Sequence, residues 1–119
     1  MLTLPIKKKW FDMICSGEKK EEYRTTNRYY TKRFESIGLL DENGNPTGEQ
    51  TCLTLRNGYG NGRPEVTVLV TLKIGTGWPA WGAEEDVWYY VLEILGKHID
   101  KKQISSLKER EVIENNRAR

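Results

Sequence analysis

Gly17-Glu18-Lys19-Lys20-Glu21-Glu22-Tyr23-Arg24 is the densest group of charges in the chain, and it sits where one sequence period gives way to another. Before it, from Lys7 to Ser16, Trp10, Met13, Ile14 and Phe11 recur at helical spacing. Gly17 then follows as a helix C-cap, because only glycine enters the left-handed region without steric cost. From Lys20 to Arg24 the period is that of a strand. Lys20, Glu22 and Arg24 are expected on one face, Glu21 and Tyr23 on the other. The stretch therefore reads as a helix-to-strand corner, with Lys19 held at the turn beside Glu22 and Arg24.

Outward from this corner, Leu2, Leu4 and Ile6 alternate as a short strand, and Pro5 favours a sheet edge. Downstream, a helix is expected over about 31–37. A loop with two turn signals, Asn43-Gly44 and Asn45-Pro46, follows over 41–50. Residues 51–56 read as a strand and 57–64 as a glycine-rich turn. Val66, Val68, Val70, Leu72 and Ile74 mark one face of a strand over 65–74. A Gly/Trp/Pro loop spans 75–85, and another strand is expected over 86–95. Residues 101–112 read as a helix, and the last five residues as a frayed end. This order, with three strands late and the last two long, predicts an α+β fold on a small, mostly antiparallel sheet or barrel with short flanking helices.

The chain has 119 residues, enough for one domain with its own core, and no apolar run approaches the roughly 18 residues that span a bilayer. No membrane association is expected. Two cysteines, Cys15 and Cys52, without a CxxC pair, point to neither a disulfide framework nor zinc, and both are expected to be buried thiols. A reducing, cytoplasmic setting fits them. The net charge of +2 is uneven: residues 1–40 carry nine Lys/Arg against five acids, a surplus of +4, and the remainder carries −2. A basic first third implies a local anionic partner or a solvated charged face.

Four groups of residues carry candidate chemistry. Lys19, Glu22 and Arg24 either form a structural ion-pair cluster or line a cleft. In a cleft, burial or the neighbouring Arg24 would lower the Lys19 pKa and fit it as base or nucleophile, with Glu22 as proton partner. Arg28, Lys32 and Arg33, interleaved with Tyr29, Tyr30 and Phe34, either hold phosphates and stack bases or pack aromatics with wet cations. Arg56-Asn57 either contacts a ligand or serves the turn that follows. Trp78 and Trp81 flank Pro79 and either cover a pocket or pack. His98 is the single histidine, no GxSxG is present, and no dinucleotide or P-loop fingerprint matches Gly60-Asn61-Gly62.

The motif Gly17-x-Lys19-x-x-Glu22-x-Arg24, after the helix Trp10-Phe11-Asp12-Met13-Ile14-Cys15-Ser16, resembles the GxKxxExR signature of the ASCH domain family. Arg56-Asn57 at a strand end, a long strand, a Trp-containing loop and a Tyr/Val-rich strand follow that family's order. The resemblance covers residues 2–99. It implies a PUA-like β-barrel domain over residues 1–100; residues 101–119, outside the resemblance, are expected as a helical extension. It also implies a charged cleft that binds RNA or a nucleotide without a cofactor or metal. Gly17, Lys19, Glu22, Arg24, Arg28, Arg33, Arg56 and Asn57 are the expected ligand-binding residues. Some members of the family are hydrolases, one branch acting on an acetylated cytidine and another on RNA. The first branch carries a threonine where this chain has Glu22. A small metal-independent hydrolase using Lys19 and Glu22 is the alternative function. An interaction module presenting the aromatic loop 77–82 is a third.

Overall fold

A computed structural model describes residues 1–99. The elements are β1 (Thr3–Ile6), α1 (Lys8–Ser16), β2 (Glu21–Thr25), α2 (Arg28–Ser36), β3 (Thr51–Asn57), β4 (Glu65–Gly75), a 3-10 turn (Pro79–Trp81) and β5 (Tyr89–Ile99). The five strands form one sheet in the order β1-β3-β4-β5-β2. β1 runs parallel to β3, and the other three pairings are antiparallel. The expected α+β class and mostly antiparallel sheet are therefore present, in the form of a curled, mixed half-barrel flanked by two helices. The expected helix over 101–112 and the end of the chain lie outside the described residues.

The apolar face of the sheet makes the core. Val66, Val68, Val70 and Leu72 alternate inward along β4, opposite Leu53 and Leu55 of β3, and all are buried. α1 lays Phe11, Ile14 and Cys15 onto this face, at the i, i+3, i+4 spacing of a helix stripe. Trp10 and Met13, expected on that stripe, are only partly buried. α2 contributes Phe34, whose ring meets Tyr90 of β5 edge-on with centroids 5.6 Å apart. Ile74, expected to face inward with the valines, is exposed instead, because the apolar run outlasts the covered part of β4. Cys15 is buried as expected, but Cys52 is exposed, since it falls on the outer face of β3.

The largest shifts of element boundaries from expectation each have a local reason. α2 starts at Arg28 rather than near residue 31, because the Asn27 side chain caps it, accepting a hydrogen bond from the Tyr30 N–H at 2.9 Å. β5 starts at Tyr89 rather than 86. Asp86 takes a left-handed conformation (φ 59°) that ends the loop, and Trp88 stays exposed. β5 also continues to Ile99, because after an irregularity at Leu69/Val70 it keeps pairing with the first residues of β4. Lys20 precedes β2 and is exposed, so it leaves the face shared by Glu22 and Arg24.

Among the described residues no helix is long and apolar enough to cross a membrane.

Candidate functional site

The corner forms as its sequence dictates. Gly17 ends α1 in the left-handed conformation (φ 84°), its N–H bonded to the Ile14 carbonyl. The Lys97 ammonium, arriving from β5, bonds the Ile14 and Cys15 carbonyls at 3.1 and 2.6 Å. It thereby satisfies the last carbonyls of α1 and complements the negative end of the helix dipole. The Lys19 N–H bonds back to the Met13 carbonyl at 2.9 Å, and β2 begins two residues later.

Lys19, Glu22 and Arg24 are all buried, and they form one connected group. The Lys19 ammonium lies 3.3 Å from Glu22 Oε1 and donates to the Trp81 carbonyl. Glu22 Oε2 accepts from Arg24 Nη2 at 2.6 Å and from Nε at 3.2 Å. Arg24 Nη2 also donates to the Pro5 carbonyl at 2.9 Å, and Nη1 to the Tyr30 hydroxyl at 3.1 Å. The Lys19 ammonium further faces the rings of Tyr23 (4.7 Å) and Trp10 (5.2 Å), which favour a cation over an aromatic face. No buried side-chain nitrogen or oxygen among the described residues lacks a partner.

Two cations against one carboxylate leave this buried group one positive charge in excess. Burial holds the Lys19 pKa below its usual 10.5, although the Glu22 carboxylate pulls it upward. Burial also works against the charge of Arg24, but Glu22 and the Tyr30 hydroxyl more than offset it, and the net shift is upward. Tyr23 is pushed up by burial and by the Glu21 carboxylate, which accepts its O–H at 2.8 Å.

Above this group lies a cleft of about 450 Å³. Its position follows from the sheet order. β1 and β2 are the two edge strands, and the cleft is the seam between them, with Pro5 and Ile6 on one side and Glu22 to Thr25 on the other. The Arg24–Pro5 hydrogen bond crosses that seam from β2 to β1. Trp10, Tyr23, Tyr30, Tyr59, Trp81 and Tyr89 supply aromatic lining, and Lys7 adds a cation at the rim. Gly58 and Gly82 let backbone approach the space. A Cβ on Gly82 would stand 3.0 Å from the Trp10 ring.

The remaining expected residues lie apart. Lys19 does not line the cleft: its side chain is 0% exposed, beneath the wall made by Trp81. Gly17 serves as the α1 cap. Arg28 is exposed at the first residue of α2. Arg33 stacks on Tyr29, with Cζ 3.3 Å from the ring centroid, and bonds the Tyr29 carbonyl. Arg56 pairs with Glu65 at 2.8 Å across β3 and β4. Asn57 closes β3, its N–H bonded to the Pro64 carbonyl. Of the eight expected binding residues, Glu22 and Arg24 line the cleft. Sequence reasoning missed Lys7, Trp10, Tyr59 and Tyr89 as lining residues. They come from three separate stretches that only the curl of the sheet brings together. Two aromatic signals were legible: Tyr30, expected either to stack a base or to pack, lines the cleft, and Trp81 of the Trp78-Pro79-Ala80-Trp81 stretch covers it.

No family model, curated protein or solved structure matches the chain.

Proposed function

We propose that the protein is an ASCH-type, PUA-like module whose cleft binds RNA or a nucleotide. The observation that carries this reading is the cleft itself, an aromatic-lined space over a buried Glu22–Arg24 pair with a net positive charge beneath it. Rings of Trp and Tyr stack nucleobases, since every base offers a π face. Arg24 and Lys7 favour an anionic group, and Glu22 accepts from a base amino group. The volume falls within the 300–1,000 Å³ or so of small-molecule sites, which suits one nucleotide rather than a packed tract. Arg28 and Arg33, outside the cleft on α2, would meet phosphates of a longer strand and set its salt dependence.

A hydrolase is the second reading, favoured by one observation: a lysine with a lowered pKa lies 3.3 Å from a carboxylate that faces the cleft. In this reading Glu22 meets the substrate and Lys19 tunes it from below.

The test is calorimetric titration of the full chain with the four ribonucleoside 5′-monophosphates and with a ten-nucleotide single-stranded RNA, at low and at moderate salt. Binding of at least one of these, lost in Arg24→Met, is the expected result. For the RNA, Arg28→Ala with Arg33→Ala should flatten the salt slope. Absence of binding by all five at low salt removes the reading. Product formation from any of them, abolished in Glu22→Gln, would select the hydrolase.

A further inference from the structure

The two walls of the cleft are joined beneath it by one unbroken polar chain. It runs from the Pro5 carbonyl on β1 through Arg24 and Glu22 to Lys19, and from Lys19 to the Trp81 carbonyl on the loop between β4 and β5. We infer that Lys19 is a positioning residue of the cleft, one that fixes the Trp81–Gly82 wall rather than touching the ligand. The inference rests on the cleft being the binding site.

The loop meets the corner at three points and α1 at a fourth. Gly77 presses on Tyr23 so closely that a Cβ there would stand 2.4 Å from the ring. The Trp78 N–H donates to the Tyr23 hydroxyl at 2.9 Å. The Trp81 carbonyl accepts from the Lys19 ammonium. Gly82, at φ 102°, lies against the Trp10 ring. Three of these four contacts are close packing or a neutral hydrogen bond. The Lys19 contact alone carries a full charge, and hydrogen bonds to charged groups are the stronger kind.

Other anchors hold only the far end of the loop. Ala83 is buried and the Glu84 N–H bonds the Tyr89 hydroxyl at 3.1 Å, but Trp78 is 63% exposed, and Pro79, Ala80 and Gly82 are exposed too. The ammonium, by contrast, is fully enclosed, and its contacts are Glu22, Trp81 and the two aromatic faces. A group so placed cannot reach a ligand in the cleft while the wall stands. It can set how far that wall stands from Pro5.

Amide hydrogen exchange, measured without any nucleotide, tests this directly. In Lys19→Met, which keeps the stem and loses the ammonium, amides of residues 77–83 should exchange at least about tenfold faster, while those of β3 and β4 hold their rates. Glu22→Gln should leave residues 77–83 less affected than Lys19→Met does. Unchanged rates in 77–83, or an equal rise throughout the sheet, would overturn the inference. Should Lys19→Met fail to fold, Lys19→Gln keeps a donor on a stem one methylene shorter and should give a smaller rise confined to the same residues. The wild type adds a check free of folding: its Lys19 ε-protons should show nuclear Overhauser contacts to Trp81, and their absence overturns the assignment. In parallel, the ratio of affinities for cytidine and guanosine 5′-monophosphates should fall towards one in Lys19→Met, because a loosened wall no longer sorts ligands by ring size. If neither nucleotide binds the wild type, the binding reading fails while the exchange data still decide the role of Lys19.

Discussion

The β3–β4 face and the charged group of Lys19, Glu22 and Arg24 are both buried, yet different forces hold them. In the first, Leu53, Leu55, Val66, Val68 and Val70 are completely buried and carry no polar side-chain atom. Their stability comes from area removed from water, and it is spread over many contacts. In the second, Lys19, Glu22 and Arg24 are buried with their charges, and each depends on particular partners. An apolar core tolerates exchange of similar volumes. A buried ion group does not tolerate loss of one member, because the others are left charged without compensation. A fold gains little stability from such a group, so its presence under a cleft speaks for a task other than stability.

Substitutions at the two regions should separate these regimes. The largest effect is expected from Glu22→Ala, which strands two buried cations. Urea unfolding should show a loss of about 3–5 kcal/mol. Leu55→Met, volume-conserving at a fully buried apolar position, should lose less than about 1.5 kcal/mol. If the two lose the same, the contrast collapses.

Next comes Gly77→Ala. Its Cβ would overlap the Tyr23 ring and stand 2.8 Å from the Ala83 Cβ, so the loop must shift. A loss of about 1–3 kcal/mol is expected, with a change in tryptophan emission because Trp78 and Trp81 ride on that loop. A smaller effect, about 1 kcal/mol, is expected from Asn27→Ala, which removes the cap from the Tyr30 N–H at the start of α2.

The pH dependence sharpens the comparison further. The native Lys19 pKa lies below 10.5, so between that native value and 10.5 the unfolded chain binds more protons than the folded one. This group therefore adds stability as pH rises through that interval. Tyr23 acts in the opposite sense above 10.0, where the folded phenol keeps a proton that the unfolded one releases. Net stability mixes the two, so lysine ε-carbon NMR titration is the cleaner check. Lys19 should titrate below the exposed lysines, and lower still in Glu22→Gln, because the carboxylate that raises its pKa is then gone. A Lys19 that titrates with the exposed lysines would contradict its burial.

The corner was legible because its signals are local. A glycine at a helix end, a change of period and alternating charges need only eight residues to be read, and Glu22 and Arg24 do share a buried face. The valines of β4 were legible for the same reason. What was not legible depends on distant partners. Nothing in Leu2 to Ile6 announces a parallel pairing with β3. Nothing in Tyr59 announces that it lines one cleft with Trp10 and Tyr30. The charge of Arg33 was legible, but not that Tyr29, four residues earlier on the same helix, lies under its guanidinium. The charge of Arg56 was legible too, but not that strand register places Glu65 directly opposite. Cations can be counted along a chain, whereas the partners that occupy them appear only when the strands are aligned.

The proposed function stands or falls on whether the aromatic cleft over Glu22 and Arg24 receives a nucleotide. Two-dimensional NMR of the full chain during titration with ribonucleoside monophosphates tests it most directly, because the Trp10 and Trp81 indoles and the Arg24 Nε–H each report from the cleft. Saturable shifts confined to these signals, and absent in Arg24→Met, are expected. Signals that stay still at millimolar nucleotide, or shifts that gather on Arg28 and Arg33 while the indoles do not move, would contradict it.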